Sequence, residues 1–281
     1  MEKILVSPAE LAAHLDDPGW VVFDTRHDLS DVDEGRHAYA AGHVRGAYFL
    51  HLDEDLSGAK TGRNGRHPLP DLQAFAQRIN ACGVTPQTQV VAYDDMGGGF
   101  AVRLWWMLRW LGHDRVALLD GGFPAWRKEG LPVSTEAPAP RPGRFVPKPH
   151  LGWTVDAPFL ERFHEDRAVK LLDARAQERY SGAQEPLDPV AGHVPGALNR
   201  FWKANLAPDG RFKPAAALRA EYESLLAGAA PSQSVHMCGS GVTACHNIFA
   251  MELAGLPGAR LYPGSWSEWC ADPARPVAKN A

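Results

Sequence analysis

Short apolar runs that stop at an acid recur along the chain. WVVFD (20–24), QVVAYD (89–94) and RVALLD (115–120) show no polar alternation, so they suit strands of a parallel sheet buried on both faces. Between and after them, DLQAFAQRINACG (71–83) and AVRLWWMLRWLG (101–112) carry apolar residues at helical spacing and end at glycine, a common helix stop. Strands alternating with helices predict an α/β fold, a parallel sheet with helices on both faces. Farther along, SVHM (234–237) reads as a buried strand and TACHNIFAMELAG (243–255) as the helix after it. Ligands in such folds bind beyond the carboxyl ends of the strands. Cys238 falls at one of those ends.

The pattern occurs twice. VVFDTR (21–26) is matched by VKLLDAR (169–175), and AGHVRGA (41–47) is nearly AGHVPGA (191–197). MLRWLGH (107–113) answers to AMELAGL (250–256), and GGFPAW (121–126) to GSWSEW (264–269). The offsets between copies run from 149 (Asp24 to Asp173) through 150 (His43 to His193) to 143 (Gly112 to Gly255). A near-constant offset at separate places indicates a duplicated domain. The expected division is a first domain over 1–131, a proline-rich extended linker over 132–150 and a second domain over 151–281.

Composition narrows the function. A net charge of -4 gives no reason to expect nucleic acid or an anionic membrane as partner. No stretch approaches the roughly 18 apolar residues of a membrane span, and the opening MEKILVSPAELAAHLDD lacks the apolar core of a signal peptide. Four scattered cysteines, at 82, 238, 245 and 270, are too few for a disulfide framework. The expectation is a cytoplasmic protein with reduced thiols, of which Cys82, Cys245 and Cys270 serve packing. Cys238, Cys245 and His246 lack the paired spacing of a metal site, so no metal is expected.

The loop after Cys238 sets this cysteine apart from the other three. In CGSGVT the glycines at 239 and 241 allow close backbone approach, so consecutive N–H groups can turn toward one anion. Those donors and the start of the next helix favour a thiolate, with Ser240 and Thr243 adding hydroxyls. A phosphatase would need an arginine six residues after the cysteine to clamp phosphate, and Ala244 stands there. Sulfur transfer needs only a thiolate and a pocket for a persulfide.

Taken together, DTR and DAR, both AGHV-GA segments, RLWWMLRWLGH, LLDGGFPAW and CGSGVTACH resemble the tandem-domain rhodanese family of sulfurtransferases over essentially the whole chain. The resemblance implies two rhodanese-like domains, the first without a nucleophile and the second active, with Asp94 or Asp95 in the place of Cys238. The loop CGSGVT is similar to that of 3-mercaptopyruvate sulfurtransferases, whereas thiosulfate-specific members commonly carry cations where Gly239 and Ser240 stand here. The resemblance also implies roles for single residues. Cys238 attacks the donor sulfur, Ser240 with His67 moves a proton, and Asp53 orients His67. Gly239, Gly241, Val242 and Thr243 form the binding loop, and Arg179 meets the substrate carboxylate. Arg175 is structural, paired near Asp173. His67 lies in the first copy, so the expected site draws on both copies.

One position departs from that pattern. Mercaptopyruvate enzymes usually carry a second arginine where AQEPLDPVAGH (183–193) has Asp188. An acid there is expected to repel an anionic substrate, so that another arginine or a repositioned loop must compensate. Two other activities remain open, a thiosulfate sulfurtransferase and a slow persulfide carrier. The acceptor implied is cyanide or a thiol, including thioredoxin, with no cofactor, and a monomer suffices.

Overall fold

The apolar runs become the central strands of two parallel sheets. The computed structural model describes residues 3–162 and 168–279. In the first unit the strands are β1 (Leu5–Val6), β2 (Trp20–Asp24), β3 (His43–Val44), β4 (Tyr48–Phe49), β5 (Gln89–Tyr93), β6 (Val116–Leu119) and β7 (Val133–Ser134). Its helices are α1 (Pro8–Ala13), α2 (Glu34–Ala41), α3 (Leu72–Asn80), α4 (Ala101–Trp110) and α5 (Gly122–Lys128). The second unit contains β8 (Lys170–Asp173), β9 (Leu198–Asn199), β10 (Ser234–Met237) and β11 (Arg260–Leu261). Its helices are α6 (Ala157–Glu161), α7 (Gln177–Ser181), α8 (Ala215–Leu226), α9 (Ala244–Leu253) and α10 (Ser265–Trp269).

The main sheets run β1-β6-β5-β2-β4 and β11-β10-β8-β9, with every pairing parallel. Removing β1 leaves the same order in both, as a duplicated domain requires. Alternate strand residues bury opposite faces. In the first unit Val22, Val91, Tyr93, Ala117 and Leu119 pack with Leu11 of α1 and with Phe123 and Trp126 of α5, while α4 lies against β5 and β6. In the second, Leu171, Val235 and Met237 pack with Leu160 of α6 and with Trp266 and Trp269 of α10. There α9 covers β10 and β11.

The repeated motifs prove to be structural. Asp24 holds the Arg26 guanidinium through two oxygens, and Asp173 holds Arg175 in the same way, with shortest contacts of 2.6 Å in both. Each arginine also bonds a glycine carbonyl, Gly42 at 2.7 Å and Gly192 at 2.8 Å, and lies over an aromatic ring, Phe123 or Trp266. The histidines of the two AGHV segments stack on Tyr39 and Tyr180, with ring centroids 3.8 and 3.9 Å apart. Each pairing consumes a buried charge or polar group in both copies, and an unpaired one would be costly.

The two units exchange short pieces of chain relative to the sequence division. The first comprises 1–58, 69–150 and 208–212, and the second 59–68, 151–207 and 213–281. Residues 132–150, read from the sequence as a linker, therefore belong to the first unit. They lack helical periodicity but carry fixed backbone bonds, from Arg141 to the Ala81 carbonyl at 3.0 Å and from Gly143 to that of Asn80 at 2.7 Å, and they bury Phe145.

Candidate active site

Strand register identifies which acid replaces the cysteine in the first copy. Asp24 is paired with Tyr93 as Asp173 is paired with Met237, so the next residues, Asp94 and Cys238, occupy equivalent strand ends. The Asp94 carboxylate is fully buried and accepts four backbone N–H bonds, from Met96, Gly98, Phe100 and Ala101, at 2.7–2.9 Å. The first copy thus closes its own cradle with a fixed carboxylate.

In the second copy the same kind of cradle holds sulfur. Cys238 is 2% exposed, and its Sγ accepts the N–H of Gly241 at 3.1 Å and of Ser240 at 3.4 Å. Gly241 has φ +78°, and a side chain there would meet the Pro263 carbonyl oxygen at 2.3 Å, so only glycine fits. The Cys245 thiol donates to the Gly241 carbonyl at 3.4 Å and steadies the loop from α9. Thr243 precedes that helix as its N-cap, and Val242 is buried beneath the loop. Ser265 fixes the other side of the nucleophile. Its Oγ accepts the Cys238 N–H at 3.1 Å from a backbone at φ +54°, a conformation unusual for a residue with a side chain.

His67 belongs by sequence to the first repeat, yet residues 59–68 are part of the second unit with Cys238. Its Nδ1 lies 2.7 Å from Ser240 Oγ, and both side chains are buried. Asp53 is in the first unit, where its carboxylate lies 4.0 Å from His27 Nε2.

Arg179, in the middle of α7, makes a two-nitrogen contact with Glu185, at 2.6 Å from Nη2 and 3.1 Å from Nε, and Nη2 also reaches Asp188 at 3.1 Å. Glu185 is held below the ordinary carboxylate range: burial pushes it up, but the hydrogen bond and charge of Arg179 outweigh that. At Asp188, where another arginine is expected to compensate for the acid, two arginines are present. The Asp188 side chain is only 2% exposed and is gripped by Arg66 as well as Arg179, so its charge is neutralised locally. Arg66 and Ser265 are the site residues that sequence reasoning missed. Cys82 and Cys270 behave as buried thiols, each pushed up to about 11 chiefly by burial. Among the described residues no group of three or more His, Cys, Asp and Glu is placed to hold a metal ion, and no helix is long and apolar enough to cross a membrane.

Residues 7–129 and 156–272 each match the rhodanese-like domain family. The chain belongs to that family. It is 47% identical over 276 residues to a Pseudomonas aeruginosa protein named "Probable 3-mercaptopyruvate sulfurtransferase", covering 98% of this chain and 97% of that one. It is 35% identical to the thiosulfate sulfurtransferase of Bos taurus, over 90% of this chain and 85% of the other. Among solved structures, 3-mercaptopyruvate sulfurtransferase from Leishmania major superposes with a TM-score of 0.82 at 32% identity, over 95% of this chain and 74% of that one. These rhodanese relatives carry both donor names, so the donor must be argued from the site.

Proposed function

We propose that the protein is a sulfurtransferase that moves sulfane sulfur from 3-mercaptopyruvate to cyanide or a thiol, thioredoxin included, through a persulfide on Cys238. The observation that carries this reading is the Cys238 sulfur in its backbone cradle, with Ser240 linking it to His67. The Cys238 thiolate attacks the donor sulfur. The new S–S bond forms as the donor's S–C bond breaks, and the electron pair leaves on pyruvate enolate. A proton equivalent to the one the donor thiol gives up completes pyruvate, and Ser240 with His67 relays it. An acceptor thiolate or cyanide then attacks the outer sulfur, the S–S bond breaks, and the Cys238 thiolate is restored. The N–H groups of Ser240 and Gly241 stabilise the sulfur anion at both ends of the cycle.

Gly239 and Ser240, uncharged where a sulfite dianion would have to depart, favour the mercaptopyruvate donor. For Asp53 we adopt the orienting role that the family resemblance implies, and Asp53→Asn should then lower kcat while the protein still folds. Four cysteines that form no disulfide suit a reducing cytoplasm. Steady-state sulfur transfer to cyanide with each donor, beside Cys238→Ser, tests the whole reading. Preference for 3-mercaptopyruvate with an inactive variant is expected. Preference for thiosulfate reassigns the donor, and activity on neither leaves a persulfide carrier.

A further inference from the structure

We propose that Arg66 is the second arginine of the donor pocket and that Asp188 is the residue that positions it. The inference rests on the sulfurtransferase reading and names the group of the donor that is recognised, a 2-oxo monocarboxylate.

Arg66 is seated by its backbone. Its N–H donates to Ser267 Oγ at 3.0 Å. The preceding Gly65 has φ +84°, and a side chain on it would lie 2.7 Å from the Gly264 carbonyl oxygen. The segment therefore sits directly on the turn that starts α10. From there the guanidinium reaches Asp188 through Nη1 and turns its other terminal nitrogen toward the nucleophile loop. A methyl group on Gly239 would be 2.8 Å from Arg66 Nη2, and 3.3 and 3.4 Å from the terminal nitrogens of Arg179. Two guanidiniums thus converge on the residue immediately after Cys238.

The carboxylates occupy the other edges of both arginines. Arg179 gives Nε and Nη2 to Glu185 and shares Nη2 with Asp188, so its Nη1 is committed to neither acid. Arg66 gives Nη1 to Asp188, and its Nη2 is likewise uncommitted to it. The side chains of Arg66 and Arg179 remain 27% and 18% exposed, while those of the two acids are 2–3% exposed. Asp188 thus spans two guanidiniums from behind, and their other nitrogens face Gly239.

Charge balance in this cluster bears on selectivity. Arg66 and Arg179, with Arg175 whose Nη1 also reaches Glu185 at 3.4 Å, are balanced by Asp188, Glu185 and Asp173, so the cluster offers directed N–H donors without an excess positive charge. A flat carboxylate with one charge matches such donors. A sulfur oxyanion with two charges would need net positive charge that Glu185 and Asp188 have already cancelled. Arg66, held 122 residues away in sequence from the acid it grips, thus compensates for the acid at 188.

The test uses Cys238→Ser protein, which cannot form a persulfide, titrated calorimetrically with 3-mercaptopyruvate. Adding Arg66→Ala should weaken binding on the order of 10- to 100-fold. Arg66→Lys, which keeps the charge without the fork, should recover part of the loss. With Cys238 intact, Arg66→Ala should raise KM for 3-mercaptopyruvate far more than it lowers kcat, and the protein should stay folded at the assay temperature because Arg179 still pairs the buried Asp188. Unchanged affinity in the Arg66→Ala variant, or a loss confined to kcat, overturns the proposal, as does an absence of saturable binding to the Cys238→Ser parent. Failure of the native protein to form a Cys238 persulfide would instead defeat the sulfur-transfer reading, and the calorimetric comparison would still report on Arg66.

Discussion

Adding one methyl group at Gly241 or at Gly239 should have opposite consequences, although the two glycines are neighbours in one loop. At Gly241 the backbone has φ +78°, and the new carbon would meet the Pro263 carbonyl oxygen at 2.3 Å. The left-handed conformation alone costs about 1–2 kcal/mol with a side chain present, and relieving a clash against backbone adds about 1–3 kcal/mol. A total of ~2–5 kcal/mol corresponds to a fall in melting temperature on the order of 5–15 °C for a chain of this size. The N–H that serves Cys238 belongs to this residue, so sulfur loading should fall as well. At Gly239 no positive φ is involved, and the near atoms are guanidinium ends that can swing aside. Gly239→Ala should change stability by less than about 1 kcal/mol, yet displace Arg66 and Arg179 and raise KM for the donor on the order of tenfold. Thermal melts beside steady-state kinetics on both variants decide the matter. A Gly241→Ala protein that melts and turns over like the parent, or a Gly239→Ala protein that unfolds early with normal KM, would refute the geometry argued for the loop.

Three further outcomes are expected from the same contacts. Ser240→Ala and His67→Gln should each lower kcat by about 10²–10⁴, and the double variant should lose little more, because a relay of two groups fails when either is removed. Additive losses in that cycle contradict the relay. Asp188→Asn leaves the arginine cluster with one net positive charge, so its preference should shift toward thiosulfate on the order of tenfold in relative kcat/KM. No shift would show that charge balance does not set the donor. Asp94→Ala strips the acceptor from four buried N–H groups and should destabilise the first unit by ~3–5 kcal/mol. An unchanged midpoint in urea unfolding would mean that this carboxylate does not hold the first unit together.

Much of the fold was legible because its strands are buried on both faces. Runs such as WVVFD and QVVAYD need no partner to be recognised, and the repeat doubled each signal. The Cys238 loop was legible for a related reason: glycines after a strand-ending cysteine have a local backbone meaning. Arg66 was not. It stands in KTGRNGRHP (60–68), a stretch with no hydrophobic period, and its partner Asp188 lies in another loop with no spacing to connect them. The arginine expected to compensate for Asp188 could not be placed for the same reason, since nothing in the sequence ties position 66 to position 188. The exchange of residues 59–68 and 208–212 between units was equally hidden, because segments so short carry no core of their own. The paired D-x-R motifs made the opposite case, with acid and arginine two residues apart and both readable.

Every step of the proposed cycle passes through sulfur carried on Cys238. Mass spectrometry of the intact protein after brief exposure to 3-mercaptopyruvate, with peptide mapping of the product, tests this most directly. One added sulfur atom is expected, located on Cys238, removed by cyanide and absent in Cys238→Ser, with Cys82, Cys245 and Cys270 unmodified. A protein that turns over the donor with no added sulfur, or with sulfur on another cysteine, contradicts it.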